Sequence, residues 1–133
     1  EHKDMNDNVY KTFSSNLQEV EKPHHHVHVM IGKSYDCLAN LICCTKDKLF
    51  DLVYVDGSHT AYDTLADMTM AWGLLRVGGI MIVDDYLWNI NNKHHDCPKW
   101  AVDSFLTCYY NQIEILTIGY QVHLKKKGIT NAN

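Results

Sequence analysis

Two short apolar runs frame the middle of the chain. Leu52, Val53, Tyr54 and Val55 stop at Asp56-Gly57, and Ile80, Met81, Ile82 and Val83 stop at Asp84-Asp85. Between the runs Ala61, Leu65, Met68, Trp72 and Leu75 recur at helical spacing. Gly78-Gly79 follows and reads as the end of that helix, because glycine enters the left-handed cap conformation at little cost. Strand, helix and strand in this order make a βαβ unit. Its strands are expected to be parallel and covered on both faces. A right-handed crossover then brings both strand ends to one edge of the sheet, where ligands bind in open α/β folds. Asp56, Asp84 and Asp85 fall at that edge.

The flanking segments add elements of both kinds. Val9, Phe13, Leu17 and Val20 mark one face of a helix over Asn6 to Val20, with Asn6 as its cap. A polar turn around Pro23 follows. Val27, Val29 and Ile31 alternate with His28 and Met30, a strand pattern expected to lie parallel with the central strands. Gly32-Lys33-Ser34 reads as a tight turn, with Ser34 the N-cap of a helix that uses Leu38, Leu41 and Ile42. Residues 89–97 are polar and aperiodic. Pro98 suits the first position of a helix whose buried face is Ala101, Val102, Phe105, Leu106 and Tyr109. Ile113–Ile118 and Tyr120–Leu124 then read as an antiparallel pair, and the tail from Lys125 onward as a polar, frayed end. Trp72 belongs to the core. Tyr86 and Trp88 either wall a pocket or cover the sheet end.

Composition changes this picture in a few places. A chain of 133 residues is expected to form one domain, 46% hydrophobic and 21% charged. A net charge of -4 gives no basic footprint for nucleic acid. No apolar run approaches the ~20 residues that span a bilayer. Five cysteines without a C-x-x-C spacing read as reduced thiols of an intracellular, cytoplasmic protein. The runs His24-His25-His26 and His94-His95, and the basic stretch Lys125-Lys126-Lys127, read as solvated. Cys43-Cys44 reads as packing.

The string VDGSHTAYDTLADMTMAWGLLRVGGIMIVDDYLW, then PKWAVDSFL, then IGYQVHLKK resembles the C-terminal part of class I S-adenosylmethionine-dependent methyltransferases. VYKTFSSNL and GKSYDCLANL resemble the same group, whose marks are an aspartate-glycine-serine-histidine turn and a double aspartate at a strand end. The resemblance implies a Rossmann-like α/β sheet, mostly parallel, with a terminal antiparallel hairpin. It also implies a domain incomplete at its N-terminus. The family's glycine-rich turn and its acidic ribose ligand have no counterpart, since no G-x-G occurs in the chain. A βαβ unit takes ~30 residues or more, so the chain reads as a partial methyltransferase-like domain over residues 1–133. It is either a fragment or a degenerate domain that serves as a structural or interaction module. Tight S-adenosylmethionine binding by this chain alone is not expected. An exposed sheet edge or Val27–Ile31 would invite self-association.

By the same resemblance, Gly32, Lys33 and Ser34 flank the cofactor's adenine, and Asp56 stands beside the cofactor. Asp56, Asp84 and Asp85 offer hard oxygen ligands suited to Mg²⁺ or another hard divalent cation. Such an ion grips two oxygens of a small or sugar-like acceptor in related O-methyltransferases. His59, with Asp56, is the catalytic candidate, since an imidazole can accept a proton near neutral pH. The plainer alternatives are that Asp56 and His59 stabilise the turn and Asp85 faces water. Three clustered carboxylates without a counter-charge predict a raised pKa for one of them. Lys93 and Lys99 are the nearest lysines in sequence.

Overall fold

The computed structural model describes residues 2–44, 50–90 and 94–128, with the backbone alone for residues 2–7 and 94. Its contacts divide the chain into two compact units, residues 1–31 and 32–133.

The first unit is built on helix α1, His2–Val20, which starts four residues before the expected Asn6. The Glu21 N–H bonds the Leu17 carbonyl at 2.9 Å and closes the helix. The expected strand at Val27–Ile31 is not formed. Among the described residues they have no ladder partner, and Val27, Val29, Met30 and Ile31 are exposed. Alternation of apolar and polar residues marks a strand only where a neighbour supplies the ladder. The parallel part of the sheet is correspondingly smaller than expected.

The second unit holds helix α2 (Ser34–Cys44), strand β1 (Phe50–Val55), helix α3 (Ala61–Leu74), strand β2 (Leu75–Val83), helix α4 (Pro98–Cys108) and strands β3 (Ile113–Ile118) and β4 (Val122–Lys126). Its four-stranded sheet has the order β1-β2-β4-β3. β1 and β2 are parallel, with Val55 opposite Val83, while β4 runs antiparallel to both β2 and β3. The fold is thus an open, mixed α/β sheet. Residues 45–49, between α2 and β1, lie outside the described residues.

Local chemistry accounts for the helix starts. Thr60 caps α3: its hydroxyl oxygen accepts the Asp63 N–H at 3.4 Å. Pro98 opens α4 as expected. At α2 the cap is shifted by one residue. The Lys33 carbonyl takes the first helical bonds, from Asp36 and Cys37, and the Ser34 side chain bonds Asp67 on α3 instead.

Gly78-Gly79 does not end α3. The helix stops at Leu74, where the Leu75 N–H turns to the Trp72 carbonyl. The glycines lie within β2, at an irregularity where Phe50 and Leu52 of β1 face Leu75 and Ile80. Gly78 has φ +82°, and a Cβ on Gly79 would lie 2.7 Å from Leu75 Cδ1 and 3.0 Å from the Asp51 and Arg76 carbonyl oxygens. The doublet serves a bulge, a role glycine fills for the same conformational reason as a cap.

The core lies on one face of the sheet. Val55, Met81, Val83, Val122 and Leu124 pack there against Met68, Ala71 and Trp72 of α3 and Val102 and Phe105 of α4. Leu52 and Tyr54 are exposed, and Ile80 and Ile82 half-buried. The expectation of two covered faces is therefore corrected within this unit. Lys125 and Lys126 continue β4 rather than fraying. Lys126 Nζ donates to the Trp72 and Leu75 carbonyls at 2.6 and 2.8 Å, which gives the end of α3 the cation its own last turn lacks. Burial pushes its pKa down from 10.5. Among the described residues no helix is long and apolar enough to cross a membrane.

The bulge makes a direct prediction. Gly79→Ala forces a methyl against two carbonyl oxygens, and overpacking of this kind costs about 1–3 kcal/mol. Urea denaturation should show that loss. A variant as stable as wild type would mean that the bulge relaxes freely.

Candidate functional site

Parallel pairing places the carboxyl ends of β1 and β2 side by side, and the Asp84 N–H extends the ladder to the Val55 carbonyl at 3.0 Å. The chain leaves β1 through Asp56, Gly57, Ser58 and His59 and leaves β2 through Asp84 and Asp85. All but Gly57 and Ser58 are titratable, and all six line one crevice of about 10 Å³, the size of a single water. The Thr64 hydroxyl of α3 pins the first loop, 3.0 Å from the Ser58 carbonyl and 2.9 Å from that of Thr60.

The two neighbouring aspartates have different partners. Asp84 Oδ2 accepts from the Tyr54 hydroxyl in a short contact and from the Gln121 amide at 3.1 Å. Gln121 also donates to the Tyr54 oxygen at 2.9 Å, and Asp84 Oδ1 accepts the Asp85 N–H at 2.8 Å. The Tyr54 hydroxyl and then the Asp85 N–H hold the Asp84 pKa below its ordinary value. In return, the Asp84 carboxylate pushes the Tyr54 phenol up to about 12. The expected rise in a carboxylate pKa does not occur at Asp84, because hydrogen-bond donors replace the missing counter-charge. Lys99 is not that charge: it bonds Asp103 and Tyr86, both at 2.6 Å. Lys93 lies outside the described residues.

Asp85 belongs to His59. Its Oδ2 lies 2.8 Å from His59 Nε2, and the Tyr120 hydroxyl bonds the same carboxylate. The Tyr120 pKa is raised by burial and then by this bond. Asp85 has φ +58°, unusual outside glycine. His59 Nε2 faces Asp85, which leaves Nδ1 as the ring nitrogen turned away from that carboxylate. Nδ1 has no hydrogen-bond partner among the described residues. The other side of the ring stacks on Trp88 at 4.9 Å and 27°. Tyr86 takes the opposite part: it is buried and bonds Asp103 at 2.9 Å, so it covers the sheet end.

A wider cleft of about 340 Å³ opens beside the same loop. Residues 32–35 line one side, which places Gly32, Lys33 and Ser34 together. Gly57, Ser58, Asp63 and Asp67 line the other. Asp67 is 8% exposed, and burial pushes its pKa up while the Ser34 hydrogen bond opposes the rise. A Cβ on Gly57 would lie 3.1 Å from Asp67 Oδ2, so glycine lets the loop close over this pair. An adjoining cavity of about 250 Å³ shares Ser34, Gly57 and Asp67 and reaches Asp56. Asp56 thus borders both the adjoining cavity and the crevice.

The cleft has the size and mixed lining of a small-molecule site, which fits the adenosine part of a nucleoside cofactor. For a cation, three carboxylates are the right donor chemistry and line one crevice. Among the described residues, however, no three His, Cys, Asp or Glu side chains are gathered closely enough to hold a metal ion. The polytract His24-His25-His26 is exposed, with His24 and His25 edge to face at 4.8 Å. All five cysteines are free thiols.

Tyr54, Tyr120, Gln121 and Asp67 escaped the sequence reading. Tyr54 sits in an apolar run and was indistinguishable there from a strand residue. Gln121 reaches Tyr54 across 67 positions, a pairing without local signature. Asp67 alone left a trace, an acidic residue on the buried face of a helix.

A family described as a methyltransferase domain matches residues 2–86. No curated protein matches the chain. Among solved structures, the O-methyltransferase NovP is similar at 22% identity and a TM-score of 0.65, over 86% of this chain and 43% of that one. An O-methyltransferase from Bacillus cereus in complex with SAH is similar at 20% and 0.58, over 76% and 51%. MycE, a methyltransferase of the mycinamycin biosynthetic pathway, in complex with Mg, SAH and mycinamycin VI, is similar at 15% and 0.59, over 85% and 37%. The chain therefore spans about half or less of each of these structures, and the likeness is one of fold.

The Tyr54–Asp84 bond predicts a pH dependence. Folding lowers the Asp84 pKa, so this carboxylate stabilises the fold above the ordinary aspartate range. That contribution is lost as pH falls through the folded pKa. Tyr54→Phe should move the Asp84 midpoint, read by carboxyl ¹³C NMR, up toward 3.8. Its stability deficit at neutral pH should close in acid. A deficit that persists in acid would assign Tyr54 to packing.

Proposed function

The chain belongs to the methyltransferase-domain family, and from that premise we propose that its site serves S-adenosylmethionine-dependent O-methylation of a small or sugar-like acceptor. The observation that carries this reading is the His59–Asp85 pair at 2.8 Å beside a nucleoside-sized cleft. Asp85 holds the imidazole by Nε2 and leaves Nδ1 to take the proton of an acceptor hydroxyl. Tyr54 and Gln121 hold Asp84, whose Oδ1 in turn fixes the Asp85 backbone. Gly32, Lys33 and Ser34 line the cleft for the adenosine, and Asp56 stands between the adjoining cavity and the crevice.

When bound, the cofactor supplies the methyl group, which passes from its sulfonium to the acceptor oxygen. Asp56, Asp84 and Asp85 line one crevice but are not gathered closely enough to hold a metal ion, so no step of this reading runs through one. The oxygens of Asp84 and Asp85 are engaged instead by Tyr54, Gln121 and His59. A second reading, an interaction module without cofactor, is favoured by the exposed apolar side chains of Val27, Val29, Met30 and Ile31.

One experiment separates the two. S-adenosylhomocysteine titrated into the ¹⁵N-labelled chain should shift the amides of Gly32, Ser34, Gly57 and Ser58. Weak affinity is expected, since each unmade charge-assisted hydrogen bond forfeits roughly 1.5–3 kcal/mol. Shifts absent from these four residues at millimolar ligand would remove the cofactor from the reading and leave the interaction module.

A further inference from the structure

The four-stranded sheet ends on one side at β3, whose ladder partner among the described residues is β4 alone. The backbone groups on its outer side face no strand among these residues. Of its six residues, Ile113 is buried and the other five are exposed. Ile115 is 49% exposed, Leu116 45% and Ile118 55%, and Tyr110 and Tyr120 flank the strand at 75% and 50%. Apolar side chains grouped along one line mark an interaction surface, whereas the same residues scattered singly need no explanation.

Natural edges are guarded, and β3 carries little of the usual protection. Lysine, proline and exposed charge keep strands from pairing edge to edge. The sequence IEILTI has no lysine or proline, and its one charge, Glu114, is held 3.3 Å from Lys125 of β4. The bulge between Ile115 and Thr117 adds twist but no charge. β1, at the opposite edge, is better guarded. Its Asp51 side chain is 81% exposed even when paired with Arg76.

The strand is also complementary to itself. Two copies of a six-residue strand overlap fully in one antiparallel register only. It sets Ile113 against Ile118, Glu114 against Thr117 and Ile115 against Leu116. Apolar residues then face apolar residues, and the glutamate meets a hydroxyl instead of a second carboxylate. Like charges directly opposite weaken such a ladder, and well-matched side-chain pairs strengthen it. Because both copies use the same strand, the contact closes at two and leaves no β3 edge for a third. Ile118 leads into the turn whose Tyr120 and Gln121 bond Asp85 and Asp84, so the ladder ends beside the support of the site.

We propose that β3 is a self-association edge, paired antiparallel with β3 of a second copy in this register to form a two-fold dimer. The four strands of each copy then join in one continuous sheet. The same contact braces the turn that supports Asp84 and Asp85. The proposal stands on the strand and not on the methyl-transfer reading, since an interaction module pairs in the same way. Six residues at about 3.3 Å each make an edge of about 20 Å. An interface this narrow belongs to the small class, so the dimer dissociates in the micromolar range.

The test reads assembly and register together. Sedimentation velocity of the full chain, from low to high micromolar concentration, should show a monomer passing to a dimer and stopping there. Thr117→Glu sets a second carboxylate opposite Glu114, twice per dimer, and should weaken the dimer about tenfold. Thr117→Lys sets an ammonium there instead and should tighten it by a similar factor. Thr117 is exposed and lies opposite His123 in β4, so both variants should keep the wild-type circular dichroism. If Thr117→Glu does not fold, Thr117→Lys still reads the register. Amide exchange at Ile115–Ile118 should slow as concentration rises. The Gly119 N–H, which closes the turn on the Gln121 carbonyl, should slow with it. A monomer at every concentration, assembly beyond the dimer, or a dimer indifferent to both Thr117 variants overturns the proposal. A dimer lost in Leu52→Lys but kept in Leu116→Lys moves the contact to β1 and overturns it too. Slowing confined to β3, with Gly119 unchanged, removes the bracing of the turn and keeps the dimer.

Discussion

The parallel pairing of β1 with β2 runs one bond past the strands, from the Asp84 N–H to the Val55 carbonyl. That last bond sets the distance between two loops that are about 30 residues apart in sequence. With it in place, the aspartate-glycine-serine-histidine turn and the double aspartate face each other, and His59 meets Asp85. The pairing itself depends on the helix face beneath. Met81 and Val83 are fully buried against α3 and α4, as are Val122 and Leu124 of the neighbouring strand. Apolar burial at roughly 25 cal/mol per Å² is the only large favourable contribution available to a sheet covered on one side. The chemistry at the strand ends is therefore held by packing one layer below it.

Most of this was legible in the residues. The βαβ unit, Pro98 at the start of α4 and the terminal antiparallel pair follow from periodicity and turn chemistry. So does the meeting of Asp56, His59, Asp84 and Asp85 at one edge, once the strands are taken as parallel. The errors have particular causes. Gly78-Gly79 was read as a cap because cap and bulge demand the same backbone freedom, and only the position of Leu75 in the buried layer separates them. Val27–Ile31 has strand alternation but no neighbour. Ser34 has the identity of a cap, yet its hydroxyl is drawn to Asp67, a partner 33 positions away that no local rule selects.

At the acidic edge, hydrogen bonds offset the repulsion between neighbouring carboxylates. Two unit charges at ~5 Å repel by about 3 kcal/mol at an effective dielectric near 20. Hydrogen bonds to a charged group contribute roughly 1.5–3 kcal/mol each. Asp84 receives three such bonds, from Tyr54, Gln121 and the Asp85 N–H, which together outweigh one repulsion. Its lowered pKa follows from that balance. The donors come from β1, from the β3–β4 turn and from the backbone, so the ionised state of one residue is written into three parts of the fold. None of those donors carries a formal charge.

The β3–β4 turn gains importance from this. It lies beyond residue 86, where the family match stops, yet Tyr120 bonds Asp85 and Gln121 bonds Asp84. The Tyr86 N–H, in turn, holds the Tyr120 carbonyl at 2.9 Å, and the Gly119 N–H closes on the Gln121 carbonyl. Consecutive residues of one turn therefore address consecutive aspartates of another. Because β4 lies between β2 and β3, antiparallel to both, its first residues must emerge beside the last residues of β2. The contact is a consequence of strand order rather than of any motif. A sheet with β4 at the edge would leave both aspartates without these donors, and the base at His59 would lose the support that fixes its orientation.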